Sequence, residues 1–188
     1  MGRWEPDAPG RFRAAAMELF VERGYEQTTV ADIAARAGLT GRTFFRYFAD
    51  KREVLFDGSA RLQKMMVEAL ERAPAQATAM EAIGAAVLAT APFFSDNRAF
   101  GRQRSRVIAA HAELRERELI KLATLAAALA EGLRRRGVGE PDASLASEAG
   151  IAVFRVAFAT WVGESEQRSF DEIVSGSLAR LRALTAIA

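Results

Sequence analysis

The chain has 188 residues, half of them hydrophobic, and 26 Lys and Arg stand against 24 Asp and Glu for a formal net charge of +2. With no Cys and one His it has no disulfides, thiolate nucleophiles, thiol redox sensing or Cys-ligated zinc, and a multi-histidine metal centre is also excluded. The N-terminus carries no apolar signal core and no uninterrupted apolar run approaches the roughly 20 residues of a membrane span, so a soluble cytoplasmic protein with no membrane contact is expected.

Ala is abundant and no Val/Ile/Thr-rich alternating run of strand length occurs, which predicts an all-α fold of about nine helices. The first helix is expected from Pro9 to Arg23, burying Phe12, Ala16, Leu19 and Phe20 and ending at Gly24. Arg3, Arg11 and Arg13 near its start suit either phosphates and a minor groove or plain solvent. A second helix begins near Val30, where Thr29 precedes the apolar series Val30, Ile33, Ala34, Ala37 and Asp32 occupies the capping-box position. Gly38 follows the last periodic residue and Thr40 is placed to cap a third helix two residues later. This is a helix-turn-helix pattern.

In the third helix Phe44 and Phe48 lie one turn apart on the buried side, leaving Arg42 and Arg46 opposite and Thr43, Phe45 and Tyr47 on the flanks. Arg pairs bidentately with guanine, Thr reads an amide or a thymine methyl, and aromatic edges pack on methyls and sugars, so these residues suit a major groove. Gly41 removes bulk where backbone and DNA approach. Thr29, Tyr47 and Lys51 are placed to hold phosphates and fix the register. Across Arg36, Arg42, Arg46, Lys51 and Arg52 only Asp50 opposes the positive charge, giving a local cationic surface on a nearly neutral protein.

A long fourth helix is expected from Asp50 to about Ala73, with Val54, Leu55, Leu62, Met65, Met66 and Leu70 as its apolar side and Pro74 as its stop. A fifth spans Thr78–Ala91 before Pro92, Phe93 and Phe94 interrupt it. The next, starting around Asn97, sets Arg98, Arg102 and Arg106 at four-residue steps with Arg104 off the stripe and His111 at the end. That stripe suits an anionic ligand, or it is solvated or paired with Glu113, Glu116 and Glu118. A seventh helix from Ala112 to Arg136 ends in basic residues before Gly137, and Asp142 or Ser144 is placed to cap an eighth containing GIAVFRVAFATWVG. Phe93, Phe94, Phe154, Phe158 and Trp161, with Met80 and Phe100, either line a cavity or form plain core. The last helix carries Phe170, Ile173, Val174, Leu178, Leu181 and Leu184.

The whole run RFRAAAMELFVERGYEQ, TTVADIAARAGLTGRTFFRYFADKR and KREVLFDGSARLQ resembles the TetR family of bacterial transcriptional regulators. The likeness lies in LFxxxGY closing helix one, TTxxDIAxxAG, the short turn, the aromatic recognition helix and DKxxL. The resemblance implies an N-terminal three-helix DNA-binding domain over residues 1–52 and a helical effector-binding and dimerisation domain over residues 53–188. It implies a homodimer on a palindromic double-stranded operator, released by a small molecule, with helix four as the lever. An activator, or a small-molecule-binding protein of the same fold, is the alternative.

For the dimer interface the family pattern points to the last two helices, through Ala149, Gly150, Val153, Arg155, Ala157, Ile173, Leu178 and Leu181. For the effector it points to Phe93, Phe94, Phe154, Phe158 and Trp161 with Arg102, Arg106 and His111. GRTFFRYFADKREVL and RSRVIAAHAELRERE look most like the branch that includes mycofactocin-type regulators, which implies an acyl-CoA-like effector. No cofactor and no enzymatic activity are expected, since there is no Gly-rich phosphate loop, no metal-spaced ligand set and no nucleophile beside the lone His.

Overall fold

The computed structural model describes residues 7–95 and 97–186; Arg3 lies outside them. Regular structure among these residues is entirely helical: α1 (Ala8–Arg23), α2 (Val30–Arg36), α3 (Gly41–Tyr47), a 3-10 turn (Glu53–Phe56), α4 (Ser59–Arg72), α5 (Ala79–Leu88), the single turn α6 (Ala91–Phe94), α7 (Arg98–Ala110), α8 (Ala112–Arg135), α9 (Asp142–Trp161) and α10 (Phe170–Thr185). Leaving aside α6, nine α-helices remain among the described residues, in line with the sequence expectation.

The chain divides into two compact units, one made of residues up to Gly58 with Gln103–Glu116, the other of Ser59–Arg102 with the residues from Arg117 onward. It passes from one set to the other three times, at Gly58–Ser59, Arg102–Gln103 and Glu116–Arg117, whereas the sequence suggests one passage after residue 52. The last two passages fall inside α7 and α8.

In the first unit an aromatic nucleus sets the angles of the short helices. Phe12 of α1 meets Phe44 of α3 edge-on at 5.2 Å, and Phe44 lies 5.2 Å from Phe48. Ile33, Leu19, Phe20, Val54 and Leu55 fill in around them, all buried. Helices of seven residues are marginal alone, so α2 and α3 depend on this burial and on their caps. Thr29 and Asp32 form the expected capping box: the Thr29 hydroxyl accepts from the Asp32 amide at 3.1 Å and the Asp32 carboxylate accepts from the Thr29 amide at 2.9 Å.

Helix four does not run unbroken from Asp50. Glu53–Phe56 forms a 3-10 turn, Asp57 is extended, and Gly58 sits at φ +90, a backbone setting a side chain would strain, before α4 restarts at Ser59. Helix five also stops early, because the buried Thr90 hydroxyl donates to the Val87 carbonyl at 2.7 Å and Pro92 opens the new turn α6.

The second unit is built on α5, whose Ala82, Ile83, Ala86 and Val87 are buried among α4, α9 and α10. Thr78 with Glu81 caps α5 and Ser169 with Glu172 caps α10 by the same reciprocal box as in α2. Neither Asp142 nor Ser144 caps α9 with its side chain; instead the Glu140 carboxylate accepts from the Ser144 amide at 3.3 Å. Helix α9 is long and apolar enough to cross a membrane by length and composition, but nine of its residues are buried in the protein's own core.

Two outcomes follow from this packing. A methyl added at Gly150 would lie 2.3 Å from the stiff, buried Ile83 Cγ2, so Gly150→Ala should cost about 1–3 kcal/mol in urea unfolding with an unchanged denaturant slope. In α2, Thr29 holds the Asp32 carboxyl below its usual range through the hydroxyl and then the backbone amide. A depressed folded-state value means stability that is present above the ordinary carboxylate range and lost as pH falls through the lowered value. Asp32→Ala should therefore melt below wild type at neutral pH, the gap closing in acid; thermal midpoints against pH check this.

Candidate nucleic-acid interface

The turn between α2 and α3 is short because Gly38 takes φ +65, letting the Leu39 amide donate back to the Ala34 carbonyl at 2.9 Å. Thr40 then caps α3, its hydroxyl accepting from the Thr43 amide at 3.1 Å and lying 2.9 Å from the Thr43 hydroxyl. With Phe44 fully buried, the helical period turns Arg42, Phe45, Arg46 and Tyr47 outward. Phe45 is 59% exposed, a large apolar ring held in water. A Cβ at Gly41 would meet nothing within 4 Å, so the start of α3 is open to an approaching surface. Arg46 lies over the Tyr47 ring at 4.8 Å and donates to its hydroxyl at 3.0 Å, which narrows the arc its guanidinium sweeps.

The cationic surface is smaller than the sequence suggests. Arg36 is tied to Glu18 at 3.0 Å and Glu22 at 2.8 Å on α1, and these bonds hold the Glu22 carboxyl below its usual range. Arg52 is engaged with Asp50 at 2.6 Å, Arg13 with Asp57 at 3.4 Å, and Arg11 donates to the Ala37 carbonyl at the end of α2. Arg42, by contrast, has no ion-pair partner among the described residues. Lys51 is half-buried and donates to the Tyr25 carbonyl at 2.9 Å and the Thr28 carbonyl at 3.2 Å, so two of its three protons are committed.

The residues expected around an effector are divided between the units. In the second, Phe94 packs against Phe170 at 4.5 Å, Trp161 at 5.5 Å, Phe158 at 5.7 Å and Phe154 at 5.9 Å, with Phe93 on its other side at 5.1 Å. Arg102 donates to the carbonyls of Val162 at 2.9 Å and Gly163 at 2.8 Å, where α9 ends. Arg98 does the same for Glu166 and Arg168 and lies over Trp161. The sequence offered Glu113, Glu116 and Glu118 as partners; the carbonyls at the end of α9 were not legible because they are distant in the chain. Arg106 and His111 belong to the first unit, where the His111 ring lies 5.0 Å from that of Tyr25.

The residues expected at a dimer interface are also sorted by the fold. Gly150, Val153, Ala157, Ile173 and Leu178 are buried within the chain's own second unit, because α5 takes that side of α9 and α10. Ala149 and Leu181 are half-buried and Arg155 is exposed. The outward stripe of α9 is instead Leu145, Ala149, Ala152, Val156 and Ala159, with Val156 at 58% exposed. On α10 the outward residues include Ala179, Ala183 and Leu184.

A capped helix-turn-helix that turns arginines and aromatic residues outward, joined to a separate helical unit, defines a DNA-binding regulator. Residues 12–57 match the family described as bacterial regulatory proteins, tetR family, and residues 77–186 match the MftR C-terminal domain. The chain belongs to the TetR family, and with it to transcriptional regulators rather than enzymes.

It is 29% identical to the mycofactocin biosynthesis transcriptional regulator MftR of Mycobacterium tuberculosis over 140 residues, 74% of this chain and 71% of that one. It is 41% identical to the HTH-type transcriptional regulator TcmR of Streptomyces glaucescens over 71 residues, 38% of this chain but only 31% of TcmR. In fold it is similar to the regulator FadR of Bacillus subtilis, solved in complex with stearoyl-CoA, with a TM-score of 0.62 and 22% identity over 95% of this chain and 99% of that one.

The arginine clamp on α9 has a measurable weight. Arg102→Ala leaves two carbonyls at the helix end without their cationic donor and should cost about 1–3 kcal/mol in chemical unfolding. Arg102→Lys should recover only part, since one ammonium cannot reproduce the two-pronged guanidinium.

Proposed function

We propose that the chain is a repressor that binds a palindromic operator as a homodimer in the cytoplasm and releases it when a small molecule binds the second unit. The observation that carries the reading is the outward face of α3, with Arg42, Thr43, Phe45 and Arg46 presented on a helix fixed by its cap and by Phe44. In this reading Arg42 and Arg46 address base edges, Thr43 and Phe45 read methyl and amide groups, and Thr29, Thr40, Tyr47 and Lys51 set the register on phosphates.

A seven-residue helix touches only a few base pairs, so useful specificity needs two copies about one helical turn apart. The outward stripe of Leu145, Ala149, Ala152, Val156 and Ala159 on α9, flanked by Arg155 and by Leu181 and Leu184 of α10, is the surface that pairs the copies. Small residues there let helices approach closely. The effector is an acyl-CoA-like molecule whose apolar chain parts Phe93, Phe94, Phe154, Phe158 and Trp161. The match to the MftR C-terminal domain and the acyl-CoA carried by a regulator of the same fold support this chemistry.

Footprinting on the DNA flanking the protein's own gene, at a stated salt concentration, tests the output: wild type should protect a palindrome, and Arg42→Ala should lose about 1–3 kcal/mol per half-site. Absence of protection on any such DNA would refute the repressor reading. Val156→Glu should shift the sedimenting species from dimer to monomer and abolish operator binding while leaving the helical circular dichroism unchanged. For the effector, stearoyl-CoA should raise the melting temperature and release operator DNA, whereas coenzyme A alone should do neither.

A further inference from the structure

Tyr25 stands at the centre of the first unit and is 1% exposed. Its ring is covered on three sides: by Phe20 edge-on at 5.2 Å, by His111 at 5.0 Å, and by the Lys51 ammonium 4.2 Å from the ring centroid. Its carbonyl accepts from that same ammonium at 2.9 Å, and a second Lys51 proton goes to the Thr28 carbonyl at 3.2 Å. Thr28, itself buried, turns its hydroxyl to the Gly24 carbonyl at 2.8 Å, so residues 24–28 form a closed loop whose next residue is the α2 cap Thr29. Lys51 is thus seated by one residue twice, through the ring face and through the carbonyl.

The same ring meets the corner between α7 and α8 through His111. His111 is fixed there by its Nδ1, 2.8 Å from the Val107 carbonyl, and by its amide donating to Ile108 at 3.2 Å. The Tyr25 hydroxyl is buried without a hydrogen-bond partner among the described residues. Burial first, and then Glu113, push the phenol above its usual range, which keeps it neutral beside the lysine. Nearby, Arg104 of α7 donates to the Leu55 carbonyl at 2.7 Å and lies over the Phe56 ring, so the same corner is tied to the 3-10 turn that follows Lys51.

We propose that Tyr25 is a positioning residue for the Lys51 ammonium, and that His111 at the α7–α8 corner holds Tyr25 in that place. A displacement of the corner reaches the DNA-facing surface through this ring, by unseating Lys51 and the loop that leads into the α2 cap. Both helices of the corner continue into the second unit, which gives such a displacement a source. The inference rests on the reading that Lys51 contacts an operator phosphate. A lysine seated on a buried ring has fewer rotamers to lose when the phosphate arrives than one on an open surface.

The test uses the full chain and a DNA duplex that wild type selects from a random library, with affinity measured across a range of KCl concentrations. Lys51→Ala should weaken binding about tenfold and lower the salt slope by about one, without changing the selected sequence. His111→Ala should reproduce most of both changes, and the double variant should bind no worse than Lys51→Ala alone, because the two act through one group. Tyr25→Phe keeps the ring and should keep both affinity and slope, while Tyr25→Leu should behave as His111→Ala. Should Tyr25→Leu not fold by circular dichroism, His111→Ala decides alone. A folded His111→Ala with wild-type affinity and slope would overturn the proposal, as would losses that multiply in the double variant. If Lys51→Ala is silent while Arg42→Ala loses binding, this inference falls and the repressor reading stands; if no duplex is selected at all, the repressor reading itself falls.

Discussion

Cationic side chains set on the carbonyl ends of helices are what the rest of this structure depends on. The last turn of a helix leaves carbonyls without donors and carries partial negative charge, and a guanidinium or ammonium answers both needs at once. Arg11 serves the end of α2, Arg136 the end of α4 through the Ala73 carbonyl at 2.8 Å, Arg102 the end of α9, and Arg115 the end of α7 through Ala109 at 2.7 Å, while Arg98 binds carbonyls of the loop between α9 and α10. Lys51 and Arg104 do the same for the Gly24–Thr28 loop and the 3-10 turn. Hydrogen bonds to charged groups contribute about 1.5–3 kcal/mol where they are shielded from water and less at exposed helix ends.

Pairing with carboxylates explains why the arginine-rich segment around the helix-turn-helix shows so small a free positive charge. Of the cations crowded around the helix-turn-helix, Arg36 is absorbed by Glu18 and Glu22, and Arg52 by Asp50. What remains outward is concentrated on α3, where Arg42 is exposed and Arg46 rests on Tyr47. Concentration suits a reader of base edges better than a broad positive field would, because phosphate attraction is blind to sequence. The same economy holds in the second unit, where an arginine stripe that invites an anionic ligand serves to fasten α9 to α7.

The aromatic residues divide in a parallel way. Phe12, Phe44 and Phe48 form a small nucleus in the first unit, while Phe94, Phe154, Phe158, Trp161 and Phe170 form a second. In the first nucleus Phe12 of α1 meets Phe44 of α3, the helix that carries the outward residues, and Phe48 just after it. In the second the rings touch one another around Phe94, on the turn α6, and bring α9 and the start of α10 together.

Local chain chemistry dictates the helix-turn-helix, the all-helical class, and the outward set on α3. Those features rest on interactions a few residues long: Thr29 with Asp32, Thr40 with Thr43, the turn at Gly38, and Phe44 one turn from Phe48. The tertiary structure alone decided the rest. It broke the expected fourth helix at Gly58, buried Gly150, Val153, Ala157, Ile173 and Leu178 while turning Val156 outward, assigned Arg102 to the end of α9 and Arg98 to the loop that follows it, and set His111 on Tyr25. Each of these depends on a partner far away in the chain. Helical periodicity says which residues share a face, but only the packed neighbour says whether that face meets protein or water, and which carbonyl claims a given arginine.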